Sequence, residues 1–139
     1  MKRIVTLSIL CLAVLSWLVP SAHALAPFKK AFQEKYVDKS SHQELKDAFK
    51  TASCNTCHVK DQKKDVRNPY GDELAKLIEG DANKRMKEAG KNGDEARKAE
   101  EMKILQELEK AFEEVAKLKS KSGQTYGELI EAGQLPSTE

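Results

Sequence analysis

Residues 25–139 of this 139-residue chain predict a single all-α domain. Three observations carry that expectation. β-Branched residues are scarce after residue 24, apolar residues recur at spacings of three and four, and Gly or Pro punctuates the pattern at Pro69, Gly71, Gly80, Gly90, Gly93 and Gly123. The first helix is expected from Ala26-Pro27, proline suiting a first turn, with Phe28, Phe32 and Tyr36 as one aromatic stripe. A second helix should start at a capping box, Ser41 with Glu44 three residues on. It carries Leu45, Ala48, Phe49 and Ala52 on one face and is expected to run directly into Cys54. "RNPYG" breaks the chain at Pro69 and Gly71, and Leu74, Leu77 and Ile78 then mark a short third helix ended by Gly80. "DANKRMKEA" reads as a weak helical turn or two, with Ala82, Met86 and Ala89 on one side. The strongest helical pattern spans about Asp94 to Lys119. It is apolar at Ile104, Leu105, Leu108, Ala111, Phe112, Val115 and Leu118, with Glu and Lys opposite. "TYGELIEAGQLP" adds a last short helix, whose Tyr-Gly entry is like that of "YGDELAKLIEG" and reads as reused helix-start chemistry.

Residues 1–24 stand apart from this pattern. Lys2 and Arg3 precede an apolar run from Ile4 to Val19, and Ala22-His23-Ala24 closes the segment. That is the layout of a secretory signal peptide cleaved after Ala24. The run is shorter than the ~20 residues a spanning helix wants. The expected location is therefore periplasmic or secreted, with no membrane span after cleavage. Cys11, Trp17 and His23 leave with the leader, so Cys54 and Cys57 become the only cysteines and His42 and His58 the only histidines. Loss of Lys2 and Arg3 takes the 24 basic residues to 22, equal to the 22 acidic ones. No excess basicity then points to nucleic acid. With four Phe, three Tyr and no Trp left, the core is thin for its length, and a large apolar cofactor would help to fill it.

The chemistry concentrates in "CNTCH", Cys54 to His58. Four readings compete. A structural zinc site needs four Cys or His ligands, yet His58 abuts Cys57 and His42 stands at the far end of a helix about 18 Å long, at a 1.5 Å rise per residue. A thioredoxin-like redox pair wants a strand before the motif and a helix after it, whereas here a helix precedes and a Lys-rich loop follows. A structural disulfide suits an oxidising compartment but closes a very short loop and leaves His58 unexplained. C-x-x-C-H is also the attachment pattern for c-type haem. Two thiols add across the haem vinyl groups as thioethers, and the adjacent histidine becomes the proximal iron ligand. Attachment after export agrees with the leader.

In these residues the chain resembles a small class I c-type cytochrome. In that family a helix leads into C-x-x-C-H and a proline some ten residues on offers its carbonyl to the proximal histidine. Pro69, eleven residues after His58, stands at that place. "NPYGDELAKL" is similar to the family's Gly-Pro segment, with Asn68 in place of glycine. The order "CNTCH…RNPYG…TYGELI…GQLP" resembles a subgroup of small secreted bacterial cytochromes. The resemblance implies a cytochrome c-like helical domain around one covalently bound haem c. Cys54 and Cys57 would be the thioether residues, His58 the proximal iron ligand, and Pro69 a partner to the His58 ring.

The departure from the family pattern is the sixth iron ligand. Met102 is at the family's usual distance but inside a strong helix pattern and about 120° round it from Leu108, at 3.6 residues per turn. Met86, His42 or no residue at all are the other candidates. The expected function is one-electron transfer between exported or membrane-bound redox partners, respiratory proteins being the expected ones. No acid/base cluster is visible beside the motif, which counts against catalysis. The alternative is a haem enzyme or gas-binding sensor with an open sixth position. "KDQKKDVR", Lys60 to Arg67, is either a docking surface for redox partners or a solvated loop whose charge Asp61 and Asp65 dilute.

Overall fold

The computed structural model describes residues 26–137; the expected leader, residues 1–24, lies outside them. Among the described residues all regular structure is helical, apart from two isolated bridges that pair His58 with Arg67 and Lys119 with Thr125. No helix among them is long and apolar enough to cross a membrane.

Helix α1, Ala26–Phe32, continues as a wider π turn, Gln33–Val37, closed by Asp38 N–H donating to the Gln33 carbonyl. Its aromatic stripe supplies the centre of the core. Phe32 is 1% exposed. Its ring lies 5.1 Å from Tyr36, 5.5 Å from Phe49, 6.1 Å from Tyr70 and 6.0 Å from Phe112. Burial of one such side chain contributes roughly 1.5–3 kcal/mol, and the tilted and edge-on contacts add to it.

Helix α2, Gln43–Ala52, buries Leu45 and Phe49 as the periodicity predicts, but the capping box does not form. The Ser40 hydroxyl instead accepts the His42 N–H at 3.0 Å, which closes the preceding turn and leaves His42 at the N-cap without a side-chain bond. The helix also stops short of the cysteines. Ser53 adopts φ 52°, and a 3-10 turn, Ser53–Thr56, carries the chain into the motif.

Helix α3, Pro69–Leu77, is capped by Asn68; α4, Ala82–Lys91, by Asp81, whose carboxylate accepts Lys84 N–H at 3.0 Å. The weak turn expected here is thus a full ten-residue helix. Tertiary contacts supply what local propensity lacks. Arg85 on α4 reaches Glu100 at 2.7 Å, Glu107 at 2.8 Å and the Glu79 carbonyl at 2.7 Å, clamping α4 to the long helix α5, Asp94–Val115.

Helix α5 buries Ile104, Leu108, Ala111, Phe112 and Val115 as expected, then ends four residues earlier than its pattern. The chain doubles back instead: Tyr126 N–H donates to the Leu118 carbonyl and Gly127 N–H to the Ala116 carbonyl. Leu118, expected on the apolar face, is consequently 41% exposed. Helix α6, Tyr126–Glu131, follows with a true capping box between Thr125 and Glu128. Helices α1, α3 and α4 all pack on α5, and α2 delivers the cysteine motif to one edge of the shared core.

Candidate functional site

The motif is wound into one tight turn. The Cys54 carbonyl accepts from both Cys57 N–H and His58 N–H at 3.2 Å, which brings the two cysteines and the histidine onto consecutive corners of the same turn. Thr56 is buried, and its hydroxyl donates to the Ser53 carbonyl at 2.9 Å.

Asn68 then fastens this turn to α3. Its backbone N–H donates to the Cys57 carbonyl at 3.1 Å, and its side-chain amide donates to the carbonyls of Asn55 at 3.2 Å and Thr56 at 3.0 Å. One residue thereby satisfies three successive motif carbonyls. Its Oδ1 accepts Gly71 N–H at 2.9 Å and caps α3, while Pro69 occupies the first turn where its missing N–H costs nothing. Gly71 completes the junction, because a Cβ there would stand 2.0 Å from the Cys57 carbonyl oxygen. Sequence reasoning took Gly71 for a chain break, whereas it lies inside α3, and gave neither Asn68 nor Gly71 a part in holding the motif. The signal was present in "NPYG", an N-cap residue followed by Pro at N1.

The two thiols are free and unequal. Cys57 turns its sulfur to the apolar core beside the Tyr70 helix, and burial, with a smaller contribution from Cys54, pushes that thiol up to about 12. The His58 imidazole is held below its ordinary value. Burial is the main cause, the nearby Val66 carbonyl opposes it in part, and Lys64 and Arg67 reinforce it.

Among the described residues two buried side-chain atoms have no hydrogen-bond partner, His58 Nδ1 and the Tyr70 hydroxyl. Burial is the main cause that raises the Tyr70 phenol well above its ordinary value, and Cys57, Tyr36 and Tyr126 all act on it electrostatically. His58 Nδ1 makes no bond to the Pro69 carbonyl in this structure, where Pro69 is the first residue of α3. Orphaned buried polar atoms are rare in folded proteins. One of the two belongs to the C-x-x-C-H turn itself, and an unpartnered imidazole nitrogen beside two free thiols fits a group held there through all three. Among the described residues no set of three or more His, Cys, Asp and Glu is placed to hold a metal ion.

The remaining candidates lie elsewhere. Met102 is 63% exposed on α5, Met86 is half-buried on α4, and His42 is exposed at the start of α2, its ring against Gly133. Next to His58, residues 59–66 form a loop pinned by Val59 N–H donating to the Val66 carbonyl at 3.2 Å and by the His58–Arg67 bridge. Lys60, Lys63, Lys64 and Arg67 are exposed around it, with Asp61 and Asp65 among them.

Comparison of the chain with protein-family models, with curated proteins and with solved structures found no match.

Proposed function

We propose that the chain is a monohaem c-type cytochrome, exported from the cell, that carries single electrons between exported or membrane-bound redox partners. The observation that carries this reading is the CNTCH turn, in which the buried His58 Nδ1 has no hydrogen-bond partner and both thiols are free. Cys54 and Cys57 would hold the haem as thioethers, and His58 would be the proximal ligand. Bound there, the haem supplies a reversible one-electron iron couple. The protein's part is to fix the ligand. The shared Cys54 carbonyl sets the turn, and Asn68 and Gly71 lock it against α3, so that the His58 ring is held by a rigid backbone. The Pro69 carbonyl remains the acceptor that the resemblance proposes for the His58 ring. The exposed lysines of residues 60–67 would give salt-sensitive steering toward an acidic partner.

A second reading, a haem enzyme or gas-binding sensor with an open sixth position, is favoured by one observation. Met102, the first candidate for the sixth ligand, points largely into solvent.

The test is to purify the exported protein and measure its mass and its oxidised and reduced visible spectra, with and without carbon monoxide. Covalent haem that is low-spin and indifferent to carbon monoxide is the expected result. Prompt carbon monoxide binding would select the second reading, and absence of covalent haem would overturn both.

A further inference from the structure

On the haem reading above, we infer that Tyr70 is a positioning residue whose phenolic hydroxyl donates its hydrogen bond to the group held through Cys57. The side chain is 1% exposed, its ring is pinned between Tyr126 at 5.1 Å and Phe32 at 6.1 Å, and its hydroxyl meets no acceptor among the described residues. The backbone beneath it is equally fixed, since Asn68 caps α3 on one side and Gly71 abuts the Cys57 carbonyl on the other. Rotation out to solvent is thus closed to the hydroxyl.

Packing alone does not account for that oxygen. Phenylalanine would fill the same apolar slot without burying an unpaired donor, which costs roughly five- to thirtyfold in the folding equilibrium. The fold does satisfy a comparable hydroxyl where it needs to, for Tyr36 donates to the Phe112 carbonyl at 3.1 Å. Cys57 acts electrostatically on the Tyr70 phenol, as Tyr36 and Tyr126 do, and of these three only Cys57 would carry a further group, which would supply an acceptor in its carboxylates or its thioether sulfur.

The experiment uses the haem-loaded full chain as wild type, Tyr70→Phe and Tyr36→Phe, with attachment verified by mass. Reduction potential and denaturant stability are measured on each. Loss of the Tyr70 donor should lower the folding equilibrium constant roughly three- to tenfold. It should also lower the potential, because a donor stabilises the electron-richer state. Tyr36→Phe should lower stability and leave the potential unchanged. Haem attached normally, with Tyr70→Phe at least as stable as wild type and unaltered in potential, would overturn this inference alone. No covalent haem on the wild type would overturn it together with the reading it rests on.

Discussion

Gly71 stands so close beneath Cys57 that a methyl group on its Cα would sit 2.0 Å from the Cys57 carbonyl oxygen. The contact joins the first turn of α3 to the cysteine motif with no side chain between them. Tyr126-Gly127 repeats the arrangement at the start of α6, where a Cβ on Gly127 would sit 2.9 Å from the Ala116 carbonyl oxygen. The two tyrosines that precede these glycines pack ring against ring at 5.1 Å. The shared Tyr-Gly helix entry thus has one physical use: glycine admits a neighbouring carbonyl, and tyrosine turns inward to the core.

Gly71→Ala should therefore cost about 3 kcal/mol or more, since the obstacle is backbone rather than a side chain that can swing away. Gly127→Ala, with a longer approach, should cost less. Urea denaturation of the two variants checks the order, and equal losses would contradict the close packing at Cys57.

Asn68 separates two kinds of bond. Asn68→Ala removes the cap and both amide donors, and about 2–4 kcal/mol of stability should be lost. Asn68→Asp keeps an acceptor for Gly71 N–H but places a carboxylate against the carbonyls of Asn55 and Thr56. If the donors matter, Asp should rescue little; near-complete rescue by Asp would assign Asn68 to capping alone.

Glu107 gives the pH dependence its sign. The Arg85 hydrogen bond is the main cause holding its carboxyl below the ordinary value, with the Glu79 N–H adding to it against a burial effect. A depressed carboxylate contributes stability that is present above its unfolded value near 4.3 and is lost as pH falls through the lower folded value. Wild type should exceed Glu107→Gln in stability at pH 6, and the gap should close toward pH 3. A gap that stayed constant across that range would remove Glu107 from the acid response.

The cysteines should differ in reactivity. The thiolate is the nucleophile, and burial pushes the Cys57 thiol up to about 12. In the reduced haem-free chain, iodoacetamide should modify Cys54 first in native buffer and both residues alike in urea. Peptide mapping by mass reads this directly.

Much of the helical layout was legible in residue order. Phe32, Leu45, Phe49, Leu108, Phe112 and Val115 are buried where their spacing places them, because a 3.6-residue period and an apolar core leave little choice. The α4 helix was not legible as such, since Arg85 is held by Glu100 and Glu107 from a different helix. The end of α5 was missed for a similar reason. Leu118 continues the apolar period, yet the Ala116 and Leu118 carbonyls bond Gly127 and Tyr126 from the following helix.

At the candidate site, residue order alone determined the chemistry available: two thiols at fixed spacing with an imidazole beside them, because covalent sequence sets which groups are neighbours. Only the tertiary structure decided how those groups are held. Asn68 and Gly71 join the motif through contacts with residues 11 or more positions away or through space that a methyl group would fill. Which polar atoms are buried without a partner follows from packing on all sides at once, and no local pattern in the chain encodes it.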